Sequence, residues 1–422
     1  MLKNRNGRPK ILVTAAASGS AVAIIRSLGS RGWHVFAGDS RTNSPGFYSR
    51  YTQERLLHPP PETAPREFIA ALLETAENSE IDLIIPVFDA VVLPLSDSRS
   101  CFEEICQLAL PDTDSLDVAM NKFKTLKLAE RLEVPVPRTC LVQTTQQALD
   151  LKQSLGWPVV LKPQASRVYC EGTIENLTVC YAENSEQLAE RMRHFEGRCP
   201  VLLQEYCSGV GIGVELLAHR GRPLAAFQHR RLREIPINGG VSTFRESVRL
   251  DPVLYGYATR LLEDLNWTGL AMVEFKVGEN GPKLMEINGR VWGSLPLAIR
   301  CGIDFPARLA DLYLYGPPST EVTSATNYKI GLRMRNLELD VSWIGQVLCG
   351  NRQYVSLAMP SRLKAVAALL GLLNPSYKCD MLSLNDPRPG WMEISKLIGK
   401  LGKNLRQAIL FDIATHVGMQ PK

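Results

Sequence analysis

Apolar and polar positions alternate with different periods in successive parts of this chain. Near the start, Ile11-Leu12-Val13 is a short continuous apolar run. A helical pattern from Ala15 to Leu28 follows, then a second run from Trp33 to Asp39. Strand, helix and strand within about thirty residues predict a βαβ unit. A helical stretch from Pro65 to Glu77 leads into Asp82-Leu83-Ile84-Ile85-Pro86-Val87, and Asp89 stands at its end. Continuous apolar strands of this kind fit a parallel sheet covered on both faces. Residues 1–115 therefore read as an α/β domain.

The pattern then changes. A helix opens at Asn121-Lys122, and Val134-Pro135-Val136-Pro137 ends it. A helix from Gln146 to Leu155, the strand Pro158-Val159-Val160-Leu161-Lys162-Pro163 and the strand Val201-Leu202-Leu203-Gln204-Glu205-Tyr206 come next. Strands at 213–218 and 223–229, a helix at 252–265 and a hairpin at 270–287 complete a unit of helices packed on antiparallel strands. It spans residues 116–316, with a smaller lobe at about 158–206. Gly316-Pro317-Pro318-Ser319-Thr320 reads as a linker. Beyond it, residues 325–422 form an extra segment with helices near 363–373 and 392–411. The last helix carries Lys396, Lys400, Lys403 and Arg406, read as a solvated face.

Composition narrows the class. Apolar residues are 45% and charged residues 22%, which excludes disorder and collagen-like repeats. No apolar stretch approaches the ~20 residues of a membrane span. The polar, basic first ten residues predict no signal peptide. A net charge of +5, spread over 422 residues, argues against a nucleic-acid partner. Ten cysteines are scattered without a CxxC pair, and the six histidines lack zinc-site spacing. A reduced, cytoplasmic protein is expected.

Candidate chemistry lies in the hairpin from Met272 to Arg290. Two alternating strands flank a turn at Asn280-Gly281. A turn centred on Asn280 sets Glu274 opposite Glu286, and Asn288 shares the face of Glu286. Facing carboxylates repel. A bound cation removes the conflict, and hard oxygen ligands suit Mg²⁺ (or Mn²⁺) completed by phosphate oxygens. Lys162 ends an apolar strand, where a buried ammonium needs an anion. Lys122 opens a helix, where anions are also favoured. Gln228-His229-Arg230-Arg231-Leu232-Arg233 packs four basic side chains into five positions, and Gly239-Gly240 suggests close approach of backbone to ligand. In the first βα turn, Thr14 to Ser20 holds one glycine where a dinucleotide fingerprint needs three, so no NAD site is predicted. Ser18, Gly19 and Asp39 remain as lining for a small-molecule pocket at the strand ends.

Taken in order, Leu161-Lys162-Pro163, Gln204-Glu205-Tyr206, Glu274 and Met285-Glu286-Ile287-Asn288-Gly289-Arg290 make residues 10–315 resemble the ATP-grasp superfamily, in its carboxylate–amine ligase branch. The resemblance implies a Rossmann-like pre-ATP-grasp domain and a two-lobed ATP-grasp domain with nucleotide between the lobes. It implies Glu274, Glu286 and Asn288 as Mg²⁺ ligands. Lys122, Lys162, Ser166, Gln204, Glu205, Tyr206, Arg231 and Met285 would contact ATP, with Arg231 at the γ-phosphate. Arg290 would stabilise the acyl-phosphate step. His229, Arg233, Gly239, Gly240, Trp292 and Ser294 would stand near the acceptor. The implied reaction activates a carboxylate as an acyl phosphate and joins it to an amine, releasing ADP and phosphate, in a protein that is often a homodimer. Other acceptors (bicarbonate, a thiol) and a non-catalytic nucleotide-binding role are the alternatives. The chain departs from the family in its phosphate-covering loop, Gln164 to Gly172, which has one glycine, and in its last hundred residues.

Overall fold

The computed structural model describes residues 7–151, 154–164, 167–170, 173–237, 239–318, 327–350 and 359–400, with backbone alone given for the described residues between 167 and 176. Three sheets carry the architecture.

The first sheet is parallel, with strands in the order Glu54–Leu57, His34–Asp39, Lys10–Val13, Leu83–Ile85 and Gln107–Leu108. Helix Gly19–Ser30 begins at the predicted turn, where Ser18 Oγ accepts from the Ala21 N–H and satisfies one orphan donor. Glu54–Leu57 escapes the apolar pattern because it is an edge strand whose side chains are largely exposed.

The second sheet is antiparallel, in the order Cys180–Ala182, Val159–Pro163, Val201–Glu205 and Thr139–Val142. Helices Thr145–Leu151 and Ser185–Phe195 cover one face through a core that includes Ala148, Leu161, Leu188, Met192 and Phe195. Backbone strands Arg167–Cys170 and Thr173–Asn176 pair as a separate hairpin.

The third sheet has seven strands: Gly281–Asn288, Gly269–Gly278, Val210–His219, Arg222–Ile235, Val241–Ser247, Arg333–Arg335 and Lys378–Cys379. Its first four strands share a core with the parallel sheet. The last two strands come from the C-terminal segment, so that segment extends the sheet instead of standing apart. Buried ion pairs hold it there. Arg245 bonds Asp380, both almost wholly buried, and Arg335 and Arg233 converge on the fully buried Asp340. Charges taken from water need such partners. Asp386 then reaches the first domain, accepting from Arg26 Nε at 2.9 Å, Ser49 Oγ at 2.7 Å and the Arg50 N–H at 2.9 Å. Among the described residues no helix is long and apolar enough to cross a membrane.

Candidate functional site

A cavity of about 460 Å³ opens between the four-stranded and seven-stranded sheets. The hairpin supplies its floor. Strands Gly269–Gly278 and Gly281–Asn288 pair with Glu274 opposite Glu286, as the alternation predicts. The route differs from the symmetric one. The turn is tighter, with Gly278 opposite Gly281, which alone would set Glu274 against Met285. A β-bulge between Phe275 and Glu274 inserts Met285 and restores the carboxylate pair. Asn288 joins them, its Nδ2 donating to Glu274 Oε1 at 2.9 Å and to Glu286 Oε1 at 3.3 Å.

The repulsion of this pair is met by arginines. Arg231 bonds Glu274 through its guanidinium, bonds Glu234 at 3.1 Å and donates to the Gly240 carbonyl at 2.9 Å. Burial lifts the Glu274 carboxyl above its ordinary range, with Arg231 opposing and Glu286 reinforcing the rise. Burial also works against the Arg231 charge, but Glu274, Glu234 and Glu286 outweigh it. Gly211 leaves the room this arginine needs: a Cβ there would stand 2.7 Å from Glu234 Oε1 and 2.9 Å from Arg231 Cδ. Arg290 Nε donates to Asp89 at 2.8 Å, and Asp89 belongs to helix Asp89–Asp97 of the first domain.

Three lysines complete the lining. Lys162 projects from Val159–Pro163, and burial pulls its ammonium below its ordinary range; Glu286 opposes this and Lys122 adds to it. Lys122 and Lys276 line the same cavity. Lys276 stands two residues from Glu274 on one strand face, so the period-two pattern could have found it. Its Nζ sits 5.6 Å from the centre of the Tyr206 ring. Val160, Tyr181 and Tyr206 form an apolar wall, the two tyrosine rings edge to face at 6.1 Å. The loop at Gly239-Gly240 closes one side, and a Cβ on Gly239 would face Tyr181 Oη at 3.3 Å.

The expected hinge residues are present, with their side chains partly engaged. Gln204 Nε2 donates to Thr139 Oγ1 at 2.8 Å. Glu205 accepts from the Arg138 backbone at 2.9 Å and from its Nε at 2.6 Å. Burial would lift the Glu205 carboxyl, and Arg138 holds it below its ordinary value. Lys122, Lys162, Gln204, Glu205, Tyr206, His229, Arg231, Gly239, Gly240, Glu274, Met285, Glu286, Asn288, Arg290 and Ser294 all line the cavity. Ser166 lies outside the described residues.

Two residues expected beside the acceptor stand elsewhere. Arg233 turns away to Asp340, with Nε 2.7 Å from Oδ1, and its guanidinium lies 4.3 Å from the Phe244 ring centre and 5.2 Å from that of Trp343. It anchors the C-terminal segment because the irregular pairing beside Arg231 and Arg233 breaks the alternation that would have aimed both one way. Trp292 is fully buried and packs edge to face on Phe305 at 5.2 Å. His229 reaches the cavity from a fully buried position, with Nδ1 2.8 Å from Glu215 Oε1, and Ser294 Oγ donates to the same oxygen at 2.7 Å. Glu215 was missed because an acid inside a buried strand looks, in sequence, like one on a solvated edge. Gly213 opposite His229 was the available signal: a Cβ there would come 2.5 Å from His229 Cε1.

A second cavity, of about 510 Å³, lies at the ends of the parallel strands, with Ser18, Asp39, His58, Glu62 and Asp89 in its lining. Asp89 and Phe88 connect it to the first, since Phe88 lines both and Asp89 holds Arg290. Ser18 and Asp39 stand where the strand-end pocket was expected; Gly19 instead packs beneath Asp380.

Residues 198–338 match the family model described as ATP-grasp in the biosynthetic pathway with Ter operon. The chain carries an ATP-grasp domain. Its sequence is similar to the carbamoyl phosphate synthase large chain of Thermomicrobium roseum, 24% identical over 44% of this chain and 17% of that one. It is also similar to the alpha-aminoadipate–LysW ligase LysX of Sulfurisphaera tokodaii, 23% identical over 46% of this chain and 67% of the relative. The chain thus matches only about a sixth of the carbamoyl phosphate synthase length. The ATP-grasp fold extends over most of the molecule. The biotin carboxylase domain of the Hydrogenobacter thermophilus 2-oxoglutarate carboxylase, solved with MgADP and bicarbonate, superposes with a TM-score of 0.60 at 17% identity over 78% of this chain and 74% of that one.

Proposed function

We propose that this ATP-grasp protein is an ATP- and Mg²⁺-dependent ligase that activates a carboxylate as an acyl phosphate and joins it to an amine. The observation that carries the reading is the juxtaposition in one cavity of Glu274, Glu286 and Asn288 with Lys162, Lys122, Arg231 and Arg290. Acidic and amide oxygens on one sheet share the cavity with Lys162 on the other sheet and Lys122 at a helix start, which is the charge pattern a metal–nucleotide complex requires.

The residues fit the metal. Two carboxylates converge, and Asn288 already touches both; turning its amide over would present Oδ1 in place of Nδ2. When bound, Mg²⁺ would neutralise phosphate oxygens and orient them. The remaining work falls to the chain. Val160, Tyr181 and Tyr206 offer a flat apolar slot for a base, and the Gln204–Tyr206 backbone lies at its edge. Lys162 and Lys122 would bind phosphates, and an anion there offsets the cost of burying Lys162. Arg231 would leave Glu274 and turn to the γ-phosphoryl group. That group transfers to a carboxylate oxygen, giving ADP and an acyl phosphate. The amine nitrogen then attacks the acyl carbon, phosphate departs and the nitrogen loses a proton. Arg290, held by Asp89, stands where charge builds on the acyl group and where the two cavities meet. The second cavity is the place for the acceptor. The relatives' names support a ligase reading, and bicarbonate or a thiol would use the same activation.

The test is a thermal-shift titration with ADP and ATP, with and without Mg²⁺, on wild type and Glu286→Ala. A ligand that binds the native state raises its stability, by about 2.7 kcal/mol at a hundredfold excess over Kd. A Mg²⁺-dependent shift in wild type, lost in the folded variant, is expected. ADP release dependent on both a carboxylate and an amine then identifies the reaction. A folded wild type that no nucleotide shifts would remove the proposal.

A further inference from the structure

The C-terminal segment shows apolar side chains to solvent in an ordered way. Helix Arg362–Leu370 packs on helix Leu337–Cys349 through Ala365 and Ala368, against Trp343, Ile344 and Val347. At 100° per residue, the side facing away from this contact carries Leu363, Val366 and Leu370. Leu363 is 80% exposed and Leu370 66%, and Leu373, one turn further, is 84% exposed. Isolated exposed leucines are ordinary, but a stripe aimed straight out from the body is not.

Charge frames the stripe. Arg362 and Lys364, both exposed, fall on its two flanks by the same angular count. The 39 residues between Asp340 and Asp380 contain four Lys or Arg and no Asp or Glu, although the chain's 43 acidic residues would place about four there. The helix over 388–400 repeats the arrangement. Glu393 is buried beneath it, while Lys396, which donates to the Asn43 carbonyl, and Lys400, which bonds Glu338, remain exposed. Trp391 and Ile398, 66% and 64% exposed, face away. The solvated basic face expected for this helix is present over its described part at Lys396 and Lys400, with Trp391 and Ile398 exposed as well; Lys403 and Arg406 lie outside the described residues.

We propose that the C-terminal segment docks this protein on an anionic lipid bilayer, with Leu363, Val366 and Leu370 in the acyl boundary and Arg362 and Lys364 at the headgroups. An outward apolar stripe with cationic flanks and no acid is the pattern of an interfacial helix. The long stems of the flanking side chains let their charges reach anionic headgroups while the leucines are buried. A second copy of the chain fits less well, because a two-fold contact on this face would bring basic flanks of one sign together.

The experiment is co-sedimentation of the full chain with vesicles of phosphatidylcholine alone and of phosphatidylcholine with about 30% phosphatidylglycerol, at low and high salt. Wild type is expected to bind the anionic vesicles, less so at high salt. Leu363→Ser with Leu370→Ser should weaken binding at least tenfold, with melting temperature unchanged. Arg362→Glu with Lys364→Glu should weaken binding to anionic vesicles and leave the apolar stripe intact. Absence of wild-type binding overturns the proposal, as does equal binding by the double serine variant. A wild-type dimer in light scattering that the serine variant dissociates, without vesicle binding, overturns it in favour of a contact between copies.

Discussion

Glu274 shows how one residue is held in readiness. Its carboxylate faces Glu286 across the ladder, and Arg231 occupies the position a cation would take. The site therefore carries its own counter-ion. Replacing Arg231 with Leu leaves two buried carboxylates without it. The expected cost is about 1.5–3 kcal/mol, the range for a hydrogen bond to a charged group. Mg²⁺ alone should then raise the melting temperature of Arg231→Leu more than that of wild type, since the ion finds no competitor. Equal responses to Mg²⁺ would show that Arg231 and the ion do not share the site.

At the scale of elements, the helix over 388–400 buries an acid against the protein. Glu393 is 6% exposed, its Oε2 has no hydrogen-bond partner, and burial together with Asp380 and Glu338 pushes its carboxyl up to about 8. The folded protein therefore holds this proton over a range in which the unfolded chain, near the ordinary glutamate value, has released it. Stability from this group is fully present below about pH 4.3 and is lost as pH rises towards 8. Glu393→Gln keeps the neutral form at every pH. Thermal melts from pH 5 to 8.5 should fall in wild type and flatten in the variant, with the variant more stable above pH 8. Parallel curves would mean that Glu393 is already ionised in the fold.

For the whole molecule, the C-terminal segment works as a tie. Asp380 fastens it to the seven-stranded sheet and Asp386 fastens it to the first domain, so one stretch of chain ties that sheet to the first domain. Asp386→Ala strands Arg26 and Ser49 and should cost at least about 2 kcal/mol. It should also raise protease sensitivity near residues 40–50 before the nucleotide site is affected. An unchanged cleavage pattern would show that the first domain is held by its apolar core alone.

Local pattern determined much of this. Apolar runs placed about half of the helices and strands, chiefly the long core ones, because burying one face of each is the dominant favourable term. The hairpin alternation placed Glu274, Glu286 and Asn288 together, since pairing across a turn is a short-range property. Among the strands that were not legible, edge strand Glu54–Leu57 lacks an apolar face, and Val241–Ser247 reads as polar in sequence although Thr243, Arg245, Glu246 and Ser247 are buried. Tertiary structure alone decided the rest. The bulge at Met285 set the final register. The contacts of Arg233 with Asp340, of Glu215 with His229 and of Arg290 with Asp89 join residues 107, 14 and 201 positions apart. Such partners have no signature in local periodicity. Arg233 and Arg290 reach their acids only when helices pack against the sheets, while Glu215 meets His229 across adjacent strands of one sheet, and it is the low-dielectric interior created by that packing that obliges each buried charge to find its opposite.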